Sequence, residues 1–308
     1  MRHCVLIMNP NSGKKKNINR NSLYDILRKY GYDAEIRYTK RQLDATSIVH
    51  DLPDDVDLVI SAGGDGTLNE IVTGNMMRRH PLILANLPLG TTNDVGNMYG
   101  LKQSSAYENL ELLLSGKPKM IDVCYIQKKP FLYVACLGDY IDMAYATPRE
   151  LKKRYGKIAY ILYGLRQLKS KMNRYKVHYE VDGEEYYGEY SFFFITNSQR
   201  IAGFDYVYYD IKIDDGKFEV AMADIRTMAD MAKMFVLINT MDIKDIPGIT
   251  YYQTNHFKLE FLDPPKTSWC IDGEEYKSTS TIFEFDVTHN MKMLIPNKSA
   301  LQILENNK

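Results

Sequence analysis

The sequence predicts an α/β domain with a doubly wound parallel sheet, followed by a mainly antiparallel β-sandwich domain. Over the first 123 residues, short apolar runs alternate with helical patterns, which is typical of βαβ units whose sheet is covered on both faces. From about residue 124 the pattern changes to strands rich in Tyr and Phe. Two Asp-Gly pairs, Asp182-Gly183 and Asp272-Gly273, are typical of hairpins in this second part.

The first part contains four candidate strands separated by helices. Leu23, Ile26 and Leu27 recur at helical spacing, and Gly31 ends that helix. A second helix is predicted through Leu43 and Ile48. The predicted strands are Cys4–Met8, Ala34–Tyr38, Asp57–Ser61 and Leu82–Ala85. Because ligands bind beyond the carboxyl ends of parallel strands, the loops that follow these strands form the candidate site.

The second part reads as strands interrupted by two helices, near 149–172 and 227–240. The predicted strands are Lys176–Val181, Tyr186–Ile195, Lys217–Ala223, Tyr251–Phe261, Ser268–Ile271 and Thr281–Val287. The change of pattern predicts domains at 1–123 and 124–295, with a tail at 296–308 that packs back on the first domain.

Composition excludes several classes of protein. The chain has 308 residues, enough for two domains, and its formal net charge is zero, so no overall field selects nucleic acid. Its four cysteines are widely spaced, which favours buried thiols over a zinc site. No run approaches the roughly 20 apolar residues of a membrane span, and the first apolar run is too short for a signal peptide. We therefore expect a cytoplasmic protein with peripheral membrane contact only.

Three loops at the ends of predicted strands have the composition of a phosphate site. Glycines allow backbone N–H groups to approach an anion, threonines add hydroxyl donors, and the helices that follow would point their positive ends at the same place. The candidate nucleotide-binding residues are Asn9, Pro10, Asn11, Ser12, Gly13 and Lys14 in loop 1, Gly63, Gly64, Asp65, Gly66, Thr67, Asn69 and Glu70 in loop 2, and Gly90, Thr91, Thr92, Asn93 and Asp94 in loop 3.

Asp65 is the unusual member of this set. A carboxylate among phosphate-binding glycines repels phosphate unless a cation bridges them, so Asp65 predicts Mg²⁺. Asn93 and Asp94 have a plainer alternative as helix caps. Ser12-Gly13-Lys14 does not belong to a Walker A loop, because Met8 stands where that motif requires glycine.

Together with Ile271-Asp272-Gly273-Glu274, the three loops closely resemble the catalytic domain of diacylglycerol kinases, and most closely the compact bacterial lipid kinases. The resemblance runs from about Arg2 to Pro296. It implies an active site in the cleft between the two domains, with ATP and Mg²⁺ as cofactors and a lipid hydroxyl as acceptor. Diacylglycerol or a related lipid alcohol is the expected substrate.

The resemblance also implies residue roles. Asn9–Gly13, Thr39, Gly63–Asn69 and Thr91 would line the nucleotide, and Glu274 would be the general base. The remaining matches are Asp272 and Asp122 in an acidic network, Lys157 in the same network, and a structural Mg²⁺ held by the Asp215 carboxylate and the carbonyls of Lys212 and Lys217. Asp272 lies two residues from Glu274, so on a regular strand both would face one way, and their repulsion could raise one pKa. An ordinary turn is the alternative at Asp215-Gly216 and at Asp272-Gly273.

Two rival functions stay open from the sequence alone. An NAD kinase would share the Gly-Gly-Asp-Gly loop and a β-rich second domain but not loop 3. A nucleotide-binding sensor without turnover is the second alternative.

One feature is independent of the resemblance. The segment Arg149–Lys176 contains ten Lys or Arg residues and a single acid, Glu150, with tyrosines and apolar residues interleaved at roughly helical spacing. Such a helix could dock on an anionic bilayer, which predicts a reversible location at the inner membrane face. The alternative is a helix packed on the β-domain with a solvated basic face. Exposed β-edges would also allow a homodimer.

Overall fold

The computed structural model describes residues 1–12, 18–101, 105–139, 172–198, 211–238 and 240–296. Its described residues form two compact units. The first contains Met1–Val123, Lys212–Asp215 and the segment from Thr288 to Pro296, and the second contains the described parts of Cys124–Ile211 and Gly216–Val287. Within the described residues, no helix is long and apolar enough to cross a membrane.

The first unit is an α/β domain with a parallel sheet. Its strands are β1 (Arg2–Met8), β2 (Tyr32–Tyr38), β3 (Leu58–Gly63) and β4 (Leu84–Pro88). Its helices are α1 (Arg20–Lys29), α2 (Asp44–His50), α3 (Asp65–Met76), α4 (Asp94–Met98) and α5 (Ala106–Leu114). The strand order is β2-β1-β3-β4, and all these pairs are parallel. Every residue of β3 is buried because helices cover both faces of the sheet.

Two strands carry the chain between the units, β5 (Lys117–Ile126) and β16 (Ile282–Ile295). The C-terminal part of β16 extends the sheet of the first unit, where Met293 pairs in parallel with Leu84 of β4. A bulky residue does not fit where β5 begins, because a Cβ on Gly116 would lie 2.2 Å from the Ile295 carbonyl oxygen.

The second unit is an antiparallel β-sandwich. Its further strands are β6 (Lys129–Phe131), β7 (Val134–Gly138), β8 (Tyr175–Val181), β9 (Glu184–Tyr190), β10 (Phe192–Thr196), β11 (Phe218–Ala223), β12 (Ile249–Thr254), β13 (His256–Phe261), β14 (Trp269–Ile271) and β15 (Glu274–Tyr276). One sheet has the order β16-β13-β8-β9 and the other β12-β11-β10-β7-β14-β15. Phe257, Phe285, Phe193 and Trp269 belong to the core between these sheets.

The fold class predicted from the sequence is therefore confirmed. The helix expected near 227–240 is α6 (Met228–Ile238), whereas the helix expected near 149–172 lies almost wholly outside the described residues. Both Asp-Gly hairpins are present, with positive φ at all four positions. A turn of this kind matches the right-handed twist of the strands that it joins.

Two predicted strands were wrong in one respect, because each is a pair of strands in different sheets. The run Tyr186–Ile195 divides at Ser191, whose hydroxyl donates to the Ala223 carbonyl and accepts from the Ile225 N–H. The run Tyr251–Phe261 divides after Thr254, whose hydroxyl donates to the His256 carbonyl and accepts from the His256 N–H. Side-chain hydroxyls thus satisfy the backbone at the corners where the chain changes sheet.

All four cysteines are buried and none forms a disulfide. Burial, with a smaller effect from Asp57, raises the pKa of Cys4 to about 12. A hydrogen bond from the Cys136 thiol to Cys270, together with burial, raises the pKa of Cys136. The thiols of Cys4 and Cys136 therefore stay protonated near neutral pH and are poor nucleophiles.

Arg78 holds the end of α2 in the first unit. Its side chain is 5% exposed. It donates to the carbonyls of Val49, His50, Leu52 and His80, and it pairs with Asp54. The last carbonyls of a helix lack partners in the next turn, and this one side chain donates to several carbonyls at and beyond the end of α2.

Replacing Arg78 with alanine should destabilise the chain by about 2–4 kcal/mol, because several partly buried carbonyls lose their donor together. Urea unfolding followed by circular dichroism measures this change. Arg79→Ala is the matched control, since Arg79 is adjacent and exposed, and it should change stability by less than about 0.5 kcal/mol. Equal effects of the two substitutions would contradict the assigned role of Arg78.

Candidate active site

The three loops predicted to bind phosphate start from one row across the parallel sheet. Met8 pairs with Ala62, and Ala62 pairs with Leu87, so loops 1, 2 and 3 leave the sheet at the same edge. The chain moves from β1 outward to β2 and from β3 outward to β4, so the strand order reverses between β1 and β3. Doubly wound sheets bind ligands outside the carboxyl ends of their strands at such a reversal.

Asn9 ties loop 1 to loop 2. Its side-chain oxygen accepts from the Asn11 N–H at 2.9 Å, and its amide nitrogen donates to the Thr67 hydroxyl at 3.3 Å. The Ser12 hydroxyl and N–H both donate to the Asn9 carbonyl. These bonds form a compact turn at the start of loop 1. Pro10 lies in this turn and is exposed, whereas Gly13 and Lys14 lie outside the described residues.

Loops 2 and 3 pack glycine against glycine. The Gly63 carbonyl accepts from the N–H groups of Leu89 at 2.7 Å and Gly90 at 3.1 Å. A Cβ on Gly90 would lie 2.5 Å from the Gly64 Cα, whereas a Cβ on Gly64 would lie 3.3 Å from the Gly90 Cα. The two backbones can approach this closely only because both residues lack side chains.

Gly90→Ala should therefore destabilise the chain by about 1–3 kcal/mol, because the new methyl group meets backbone that cannot move aside easily. Gly64→Ala should have a clearly smaller effect, since its methyl group points into a less crowded space. Thermal unfolding of both variants tests the order. A larger loss for Gly64→Ala would contradict the described packing.

Asp65 locks loop 3 to loop 2. Its carboxylate accepts from the Asp94 N–H at 3.0 Å and the Val95 N–H at 3.3 Å, which are the first two residues of α4. The sequence predicted that the positive end of each following helix points at the ligand. This is wrong for α4, whose first N–H groups already hold a carboxylate and whose five residues give only a small dipole.

Helix α3 keeps the start that the sequence predicted. It has twelve residues, and its N-cap is Gly64, so no side chain caps it. Gly66 and Thr67 follow Asp65 in the first turn, and Thr67 is 7% exposed. A helix start without a side-chain cap, surrounded by glycines, is a ready site for phosphate oxygens. The start of α3 is therefore the candidate anion site.

Two residues placed with the nucleotide have clear structural roles instead. The Glu70 carboxylate accepts from the N–H groups of Leu43 and Ala45, so it caps α2. Its side chain therefore points to a neighbouring helix, which corrects its placement with the nucleotide. The Asn93 amide donates to the Gly90 carbonyl and accepts from the Gly90 N–H, which closes loop 3. The Asn93 side chain thus stabilises the turn of loop 3, and the side chain that caps α4 is that of Asp65.

The remaining residues of the predicted nucleotide site lie on the same unit. Thr39 is 8% exposed and donates its N–H to the Met8 carbonyl, which holds it beside loop 1. Thr91 and Thr92 are exposed at the tip of loop 3. The Asn69 carbonyl accepts from the Thr73 hydroxyl within α3. The direct nucleotide contacts of these residues stay predictions.

Asp272 fixes the shape of the hairpin that presents Glu274. It is 3% exposed, and its carboxylate accepts from three consecutive backbone N–H groups at 2.9–3.2 Å. Those groups belong to Leu132, Tyr133 and Val134. Glu274, the first residue of β15, is exposed. The expectation that both carboxylates share one face is wrong, because Asp272 is a turn residue with φ of 48° rather than part of a strand.

Asp122 is buried in the first unit beside a residue that sequence reasoning missed. Its Oδ1 lies 2.7 Å from Nδ1 of His289, and its N–H donates to the Ile213 carbonyl at 2.7 Å. The Asp122 side chain is fully buried, whereas the His289 side chain is 40% exposed. The two residues are 167 positions apart, so no local motif could have paired them.

Several predicted residues are not tested by this geometry. Lys157 and most of Arg149–Lys176 lie outside the described residues. Lys212, Asp215 and Lys217 flank Gly216, which has φ of 71° in a turn before β11. No group of three His, Cys, Asp or Glu side chains in the described residues could hold a metal ion, but a site built from carbonyls would not be of that kind.

Comparison with known proteins finds similarity to diacylglycerol kinases. Residues 3–126 match the diacylglycerol kinase catalytic domain. The chain is 28% identical to a diacylglycerol kinase of Bacillus subtilis strain 168 over 282 residues, covering 89% of this chain and 90% of that protein. It is 27% identical to a diacylglycerol kinase of Staphylococcus aureus strain JH9, covering 98% of this chain and 95% of that protein.

The fold of this chain is also similar to that of a solved bacterial protein. The crystal structure of a diacylglycerol kinase from Bacillus anthracis strain Sterne superposes with a TM-score of 0.77 and 24% identity, covering 96% of this chain and 98% of that one. The matched residues 3–126 include loops 1, 2 and 3 with their links through Asn9 and Asp65. Residues 3–126 are therefore similar to the diacylglycerol kinase catalytic domain, and most of the chain is similar to bacterial diacylglycerol kinases, which indicates a kinase that transfers phosphate to a lipid alcohol.

Proposed function

We propose that this chain transfers the γ-phosphoryl group of ATP to the hydroxyl of a lipid, with diacylglycerol as the first candidate. The observation that carries the proposal is the joined set of three loops, in which Asn9, Asp65 and the Gly63 carbonyl bring the start of α3 to the reversal point of the sheet. Phosphoryl transfer depends mainly on positioning and on neutralising charge, and such a cradle supplies positioning.

The phosphates of ATP bind at the start of α3 in this proposal. The N–H groups of its first turn and the Thr67 hydroxyl donate to phosphate oxygens, and the glycines of loops 2 and 3 let the phosphates approach the backbone. Asp65 keeps loop 3 in place while this happens.

Mg²⁺ would neutralise the phosphate charge when bound. Asp65 is the residue that would hold it on the nucleotide side, because carboxylate oxygens accept more than one partner and its bonds to α4 are therefore compatible with a metal ion. Asp215, with the carbonyls of Lys212 and Lys217, is proposed to hold a second, structural Mg²⁺. The turn at Gly216 suits ligands that come from both of its sides.

Glu274 is proposed to accept the proton of the lipid hydroxyl. It is exposed, so a substrate can reach it, and the buried Asp272 keeps its hairpin rigid. A base must lie within hydrogen-bond reach of the acceptor hydroxyl, and a fixed hairpin reduces the cost of holding it there. Asp122 and Lys157 are proposed to act in the same network.

The basic segment Arg149–Lys176 is proposed to hold the enzyme on anionic membranes. We expect the triple substitution Lys152→Glu, Lys153→Glu and Arg154→Glu to weaken binding to anionic vesicles, since basic residues near such a surface contribute about 1 kcal/mol each. Vesicle sedimentation measures this, and high salt should have the same effect on the wild type. Equal sedimentation of the wild type and the triple variant at low salt would contradict membrane docking and favour a helix that packs on the β-domain with a solvated basic face.

The first test of the proposed function compares acceptors. The chain should consume ATP when diacylglycerol is supplied in mixed micelles and should not do so with NAD. Consumption with NAD alone would favour the NAD kinase alternative, and tight ATP binding without consumption in either case would favour a sensor.

A further inference from the structure

A stacked pair of side chains lies at the end of β2, beside the phosphate loops. Tyr38 is the last residue of β2 and pairs with Met8, so it belongs to the row from which loops 1, 2 and 3 leave the sheet. The guanidinium carbon of Arg20 lies 4.8 Å from the centre of the Tyr38 ring. Arg20 is the first residue of α1, which starts after loop 1. The pair therefore lies at the ligand-binding edge of the sheet.

The outer face of this pair is open to solvent. Tyr38 is half-buried and forms the base of the stack, while Arg20 lies over it and is exposed. Among the described residues, no carboxylate lies within ion-pair distance of the Arg20 guanidinium. A planar cation that is fixed over an aromatic ring, and not neutralised by an acid, is suited to stacking against another flat π-system.

The distance from the phosphate site fits a nucleoside triphosphate. The start of α3 follows β3, and β2 lies two strands away in the order β2-β1-β3. Two strand spacings of about 4.8 Å give roughly 10 Å between the phosphate end and the stacked pair. If the terminal phosphates of a nucleotide bind at the start of α3 and the rest of the molecule extends across loop 1, its base lies over β2.

We propose that Tyr38 and Arg20 form the stacking platform for the base of the phosphate donor. The inference rests on the proposed function, since it takes a nucleoside triphosphate as the ligand. Arg20 offers the flat surface, and Tyr38 orients it by the cation–π contact. Stacking accepts any base with a π-face, so this platform contributes affinity with little discrimination between adenine and guanine.

The test separates base binding from phosphate binding by calorimetric titration of the whole chain with ATP and with inorganic triphosphate. Tyr38→Ala and Arg20→Ala should each weaken ATP binding about fivefold to a hundredfold, the range measured for loss of one base–aromatic stack. Neither should change triphosphate binding by more than about twofold. Tyr38→Phe should bind ATP like the wild type, because the ring is retained. Arg28→Ala is the matched control, since Arg28 is exposed at the other end of α1.

The outcomes separate the platform from the proposed function. If the wild type binds both ligands but Arg20→Ala loses both equally, Arg20 is a phosphate ligand and the platform is overturned. If neither alanine variant loses ATP affinity, the platform is also overturned while the kinase proposal stands. If the wild type binds neither ligand, the proposed function fails and the platform fails with it. Unchanged triphosphate binding shows that a variant is folded.

Discussion

Asp65→Ala should lower the rate of lipid phosphorylation by about 10²- to 10³-fold while the chain remains folded. The substitution removes the carboxylate that holds the first two N–H groups of α4, so loop 3 loses its fixed position over the phosphate site. Misplacement of reacting groups by about 1 Å can cost 10²-fold, and loss of metal-dependent charge neutralisation adds to it. Loops 2 and 3 stay joined through the Gly63 carbonyl, which is why we expect folding to survive.

Two variants distinguish the two roles of Asp65. Asp65→Asn keeps one side-chain oxygen for α4 but lacks the negative charge that a metal ion needs. If holding loop 3 is the whole role, the Asn variant should recover much of the lost rate at any Mg²⁺ concentration. If Asp65 also binds Mg²⁺, the Asn variant should need more Mg²⁺ for half-maximal rate. A folded Asp65→Ala variant with near-normal turnover would refute both roles.

Glu274→Gln should lower kcat by about 10²-fold or more, the scale of general-base catalysis, with little change in ATP binding. The amide keeps the shape of the side chain but cannot accept the proton of the lipid hydroxyl. Steady-state rates with mixed micelles, together with ATP titration, measure the two effects separately.

The neighbouring Glu275 provides the control for this prediction. Glu275 lies on the same short strand and accepts from the Ser268 hydroxyl, so Glu275→Gln changes a similar charge on the same hairpin. Its kcat should stay within about threefold of the wild type if Glu274 alone is the base. A similar loss in both variants would assign the effect to the hairpin or its charge rather than to proton transfer at Glu274.

The sequence predicted those parts of the fold and site that depend on short-range patterns. Loops 1, 2 and 3 were recognisable because each follows a buried apolar strand and contains glycine together with serine or threonine in a short stretch. The hairpin at Asp272-Gly273 was recognisable because this pair readily adopts the positive φ angles of a tight turn.

The parts that the sequence did not predict depend on partners far apart in the chain. Asp65 bonds to Asp94 and Val95 across about 30 positions, and Glu70 reaches back to Leu43 and Ala45. Each carboxylate satisfies the N–H groups of a helix other than its own. A carboxylate in a glycine loop has the same local sequence whether it binds a metal ion or caps a distant helix, so only the folded chain distinguishes them.

The central claim is that this chain is a lipid kinase, and one measurement tests it most directly. The chain is incubated with [γ-³²P]ATP, Mg²⁺ and diacylglycerol in mixed micelles, and the lipid is extracted and separated by thin-layer chromatography. The account predicts label in phosphatidic acid with the wild type and a loss of about 10²-fold or more with Glu274→Gln. Label that stays wholly in the aqueous phase with diacylglycerol, and equally with a total lipid extract as acceptor, would contradict the claim.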